Sequence, residues 1–157
     1  MRDTMSSAVQ ATKTTQIDVK DGATLALLAA WVLALFASLA VLFIGEVMGQ
    51  APCVLCWYQR IAMFPLALVL GIAAWRGDLG VWRYGLPIAV AGVLLAGFHT
   101  LLYYGVIPES ITACGAGPSC TDAEMTVLGL AIPVLSLAAF IGLAALLLQV
   151  RKGARDE

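Results

Sequence analysis

Charge is scarce in this chain. Asp, Glu, Lys and Arg make up 12% of its 157 residues, about half the share usual in a soluble domain. Nine basic residues against ten acidic ones leave a formal charge of −1. No basic patch exists to track a phosphate backbone, so nucleic acid is not an expected partner. The glycine fingerprint G-x-G-x-x-G is missing, which argues against a nicotinamide or flavin held on a dinucleotide-binding fold. There is one histidine and there are four cysteines, and their pattern is not that of a haem or iron–sulfur ligand set. What fills the space is apolar: 61% of the residues are hydrophobic.

The apolar residues fall in blocks of roughly twenty, the length that crosses about 30 Å of hydrocarbon at 1.5 Å per residue. The first block, Ala23 to about Val47, is too long for a cleavable signal and reads as a retained span. Further spans are expected at about Cys56–Trp75, Tyr84–Tyr104 and Val127–Val150. The fold expected is therefore an all-α membrane protein, a four-transmembrane-helix bundle over 23–150. Residues 1–22, polar and without apolar periodicity, read as a disordered tail, and 151–157 as a second short tail. Ala26, Ala30, Ala34 and Ala37, and Gly92, Ala96 and Gly97, would allow close helix approach, although most such alanines need no explanation beyond helix propensity.

Basic residues orient the bundle. Arg2, Lys13 and Lys20 precede the first span, Arg76 and Arg83 flank the turn between the second and third, and Arg151, Lys152 and Arg155 follow the fourth. The loops at about 48–55 and 105–126 contain no Lys or Arg. The positive-inside rule places both termini in the cytoplasm and both cysteine pairs on the opposite, oxidising side.

The first pair lies in "QAPCVLCWYQRIAMFPL", Gln50 to Leu66, and the second in "CGAGPSC", Cys114 to Cys120. A C-x-x-C suits a disulfide that opens and closes, and equally half of a zinc site. Zinc usually wants a second close pair, whereas here five residues separate Cys114 from Cys120; no metal is expected. Structural staples are the other reading, but cross-linking so short a loop gains little entropy. Cys53 sits where a helix begins, and unpaired amides there favour a thiolate.

Arg60 follows Cys56 by four residues, on the same helical face and about 6 Å deeper. It could snorkel toward the headgroups. Alternatively, it could polarise an acceptor held against the cysteines. His99, about five residues inside the outer end of the third span, falls at a similar depth. Electrons from a dithiol leave in pairs, and a lipid-soluble quinone is the economical acceptor, its carbonyl oxygens taking hydrogen bonds from Arg60 and His99.

"CVLCWYQR" resembles the signature of the DsbB family of disulfide-bond formation proteins, which are membrane thiol:quinone oxidoreductases, and "VLGLAIP" looks like the opening of their last helix. The short second spacing and "YYGVIPES" are similar to the BdbC-type branch. The resemblance implies a bacterial inner-membrane enzyme. In it, Cys114 and Cys120 accept electrons from a reduced DsbA-like, thioredoxin-fold partner. Cys53 and Cys56 reoxidise that pair, and a ubiquinone or menaquinone beside Arg60, with His99 near it, drains the electrons. A quinone reductase of the vitamin K epoxide reductase type is the alternative enzyme reading.

Overall fold

A computed structural model describes residues 2–108, 126–127 and 129–155. Helix α1 runs Arg2–Leu42 and passes directly into a π-helical turn, Phe43–Val47. Helix α2 is Val54–Arg76, and a 3-10 turn at Leu79–Val81 leads into α3, Trp82–Tyr103. Two short antiparallel strands, β1 (Thr126–Val127) and β2 (Leu130–Ala131), precede α4, Ile132–Arg155.

Among the described residues, four helices are long and apolar enough to cross a membrane: Asp21–Val47, Val54–Arg76, Leu79–Tyr103 and Ile132–Arg155. The protein is a multi-pass membrane protein built as a four-helix bundle. Around the bundle, α1 packs on α2, α2 on α3, α3 on α4, and α4 returns to α1. Leu27, Leu66, Leu70, Phe140, Leu143, Leu147 and Val150 are fully buried between them. Leu25, Phe36, Leu68, Leu94 and Ile141 point outward, as helices solvated by lipid tails require. Ala26, Ala30 and Ala34 form a buried stripe on α1. Gly92 is where α3 meets α4: a Cβ there would stand 2.2 Å from the Phe140 ring, so the aromatic ring lies on bare backbone.

The turn between α2 and α3 is fixed by local chemistry. Gly77, with φ +67°, ends α2 in the left-handed conformation that glycine adopts most easily, and the Asp78 amide donates back to the Ala73 carbonyl at 2.9 Å. The Asp78 carboxylate then accepts from the Gly80 amide at 2.8 Å and starts the 3-10 turn.

Three expected boundaries move. Helix α1 continues N-terminally through residues that the sequence reading leaves in a tail; that stretch has no proline to stop a helix already nucleated by the apolar block. The fourth span begins at Ile132 rather than near Val127, because Gly129 (φ +78°) turns the chain into a hairpin first. At the other end α4 runs past Val150 to Arg155. Cys114 and Cys120 lie outside the described residues.

Candidate active site

The site is built at one end of the bundle, where α2 begins. Cys53 is the N-cap of α2, with extended backbone (φ −71°, ψ 170°), and its carbonyl accepts the first helical bond from the Trp57 amide at 3.2 Å. Cys56 follows in the first turn. This geometry brings the two sulfurs to 3.1 Å, with the Cys53 thiol donating to Cys56. The two sulfurs are not joined in a disulfide in the structure. Closing the disulfide asks for an approach of about 1 Å, toward the ordinary bond length near 2 Å. Cys53 is fully buried against Leu55 and Leu102, and Cys56 is partly exposed.

The hydrogen bond to Cys56, together with burial, pushes the Cys53 thiol from its ordinary 9.0 up to about 12, while His99 pulls it the other way. The helix start thus does not make Cys53 the readily ionised sulfur of the pair, contrary to the expectation from the dipole alone. Its proton is held between the two sulfurs.

His99, on α3, is fully buried, with Nε2 3.8 Å from the Cys53 sulfur and Nδ1 3.1 Å from Gln59 Nε2. Gln59, from α2, in turn accepts a short hydrogen bond at Oε1 from the Ser136 hydroxyl of α4. Arg60, 8% exposed, donates from Nη2 to the Val41 carbonyl of α1 at 3.0 Å and stacks over the Trp57 ring at 5.3 Å. The π-helical turn presents Gly45 to the guanidinium; a Cβ at that position would come within 3.1 Å of Nη2. The buried cation is therefore held between two helices, rather than stretched toward solvent.

A cavity of about 560 Å³ opens between α1, the 48–52 segment, α2 and α4. Gln50, Cys56, Gln59, Arg60 and Ser136 are its polar wall, and Ala37, Ile44, Met63, Leu135 and Phe140 are among its apolar lining. Of the residues singled out in the sequence, Cys56 and Arg60 border this space together. Cys53 and His99 do not line it; they meet on the far side of the pair. The sulfurs of Cys53 and Cys56 and a ring nitrogen of His99 also lie within 4.8 Å of one another, a Cys₂His set of the kind zinc accepts. A metal there would occupy both thiolates, so metal binding and disulfide closure exclude each other at this pair.

Gln59 and Ser136 are site residues that the sequence alone does not mark. The available signal was slight: a glutamine next to Arg60 inside the cysteine motif, and a lone hydroxyl in the apolar run of α4.

Comparison with known proteins agrees with this architecture. A family model described as "Disulfide bond formation protein DsbB" matches residues 23–150. The chain is 56% identical over 128 residues to a probable disulfide formation protein of Metapseudomonas resinovorans, covering 80% of this chain and 89% of that protein. It is 40% identical over 132 residues to disulfide bond formation protein C of Bacillus subtilis, covering 83% and 95%. A probable disulfide formation protein of Deinococcus radiodurans is 44% identical over 128 residues, covering 75% and 83%. With its four spans, its C-x-x-C at a helix start and a match across the whole bundle, the chain belongs to the DsbB family of disulfide bond formation proteins.

Proposed function

We propose that the protein is a membrane thiol:quinone oxidoreductase that reoxidises a thioredoxin-fold, disulfide-forming partner. In this reading Cys114 and Cys120 take electrons from the partner, and Cys53 and Cys56 take them in turn. Both pairs face the outside of a bacterial inner membrane, with the termini in the cytoplasm. The basic residues support that orientation: eight sit at the termini and the α2–α3 turn, and none in the two opposite loops.

The observation that carries the reading is that Cys56 and Arg60 border one apolar cavity while Cys53 stands within disulfide-forming reach of Cys56. The residues present fit a quinone. The volume falls in the range of small-molecule sites, and the lining is apolar with a few convergent polar groups. A bound quinone would supply a two-electron acceptor. Arg60 would hold it: a guanidinium carries five N–H donors, and the bond to Val41 uses one, leaving others to face an oxygen that gains negative charge. Gly45 leaves room for that placement. Cys56 borders the same space and is the sulfur positioned to meet the acceptor, whereas Cys53, buried beside His99, is positioned to give up its proton and close the disulfide onto Cys56.

The direct test is anaerobic. Reduced protein carrying Cys114→Ser and Cys120→Ser, mixed with one equivalent of a short-chain quinone, should yield one equivalent of quinol and lose two thiols, those of Cys53 and Cys56. Quinone left unreduced by the fully reduced, folded protein would refute the proposal.

A further inference from the structure

Three helices contribute to a run of buried polar contacts that the proposed electron path does not use. Ser136 of α4 donates its hydroxyl proton to Gln59 Oε1. With the amide oxygen on Ser136, the Gln59 NH₂ group faces His99 Nδ1, 3.1 Å away. A neutral imidazole has one N–H and one acceptor nitrogen. With Nδ1 accepting from Gln59, the proton stands on Nε2, the nitrogen 3.8 Å from the Cys53 sulfur. Cys53 in turn donates to Cys56.

We propose that Ser136, Gln59 and His99 form a one-way chain of hydrogen bonds, continued through Cys53, that gathers the negative charge of the reduced pair on Cys56, the sulfur bordering the cavity. The inference rests on reading Cys53 and Cys56 as the reactive pair. Ser136, Gln59 and His99 are positioning residues here, since each acts on Cys56 through the next. Every link donates in the same direction, and such chains polarise one another in a medium of low dielectric.

Two influences reach the pair: the chain from behind Cys53, and the Arg60 cation on the cavity side of Cys56. Among the described residues His99 is the titratable group that clusters with the two sulfurs. From α2, Arg60 lies one turn deeper, bonded to α1 through Val41. From α4 the neutral Ser136 reaches in, and Glu46, in the π-helical turn, is exposed. The arrangement also gives His99 a different part from the quinone contact expected from its depth. It lies behind the cysteines and orders their protons.

His99 is the only histidine, so its ring can be read without ambiguity. The test uses full-length protein in nanodiscs, labelled with ¹⁵N-histidine and reduced. Nitrogen NMR should show a protonated Nε2 and an unprotonated Nδ1. A ring protonated on Nδ1, alone or together with Nε2, overturns the proposal because the chain would then break or run backwards. A second readout follows alkylation of Cys56 at neutral pH in a background carrying Cys114→Ser and Cys120→Ser. Gln59→Leu should slow it on the order of 10-fold, the scale of a hydrogen bond that stabilises charge. Ser136→Ala, one link further out, should slow it about 2-fold, and Ser136→Thr should restore it. Equal Cys56 rates across folded variants also overturn the chain. Loss of quinone reduction in the wild type, with the Nε2–H tautomer intact, would instead count against the proposed function.

Discussion

The sulfurs of Cys53 and Cys56 stand 3.1 Å apart, yet they face different surroundings: Cys53 is enclosed against His99, and Cys56 borders the cavity beside Arg60. The N-cap accounts for this. Extended backbone at Cys53 and helical backbone from Val54 onward turn two residues of one motif to opposite sides of the helix start.

That division has a consequence for pH. The bond to Cys56 and burial push the Cys53 thiol up to about 12, so at pH 7 only on the order of 10⁻⁵ of it is ionised. The sign is that of a raised thiol: ionisation is disfavoured at neutral pH and grows about tenfold per pH unit until the thiol titrates. In the reduced protein, iodoacetamide at neutral pH should therefore modify Cys56 far faster than Cys53, with peptide mass spectrometry reporting the ratio. Faster modification of Cys53 would contradict the geometry.

Arg60 separates an electrostatic role from a structural one. Arg60→Ala removes donors facing the cavity and should lower the rate of quinone reduction on the order of 10²-fold. Arg60→Lys keeps the charge without the planar fork and should act mainly by raising the quinone KM. Exchange between the two cysteine pairs should continue in both. A quinone KM unchanged in folded Arg60→Ala would instead mark a residue that only ties α2 to Val41.

Gly92 tests the packing. A methyl group there meets the Phe140 ring at 2.2 Å, so α3 and α4 must part or the ring must move. Gly92→Ala should cost about 1–3 kcal/mol, as overpacking does in other cores. Reversible unfolding in mixed micelles measures it. At Gly49, φ +69°, an added Cβ would meet nothing within 4 Å among the described residues, so alanine there should cost less, from backbone strain.

Topology can be checked separately. After reduction, a membrane-impermeant maleimide should reach Cys114 and Cys120 from outside intact cells, given loops without Lys or Arg opposite eight basic residues. Labelling from the cytoplasm alone would invert the orientation and remove the oxidising environment on which the relay depends.

The bundle was legible because its signals are long and repeated: four apolar blocks map onto four helices within a few residues of their expected limits. Cys56 and Arg60 were legible as neighbours because a spacing of four on one helix fixes a shared face. His99 was harder. Its depth along α3 follows from residue counting, but its rotation about the bundle depends on how α3 packs, and that turns it to Cys53 and Gln59 rather than to the cavity. Ser136 carries no local signal for the same reason, since its partner is 77 residues away on another helix. The Thr126–Ala131 hairpin was hidden because its apolar residues merge with those of α4, and only Gly129 marks the turn.

The most direct measurement is steady-state quinone reduction driven by a reduced thioredoxin-like dithiol protein, with each cysteine changed to serine in turn. Cys53→Ser and Cys56→Ser should abolish it with any reductant. Cys114→Ser and Cys120→Ser should abolish it with the protein reductant, yet leave measurable turnover with a small dithiol that reaches Cys53 and Cys56 unaided. Equal tolerance of all four substitutions would contradict the account and return both pairs to the status of structural cross-links.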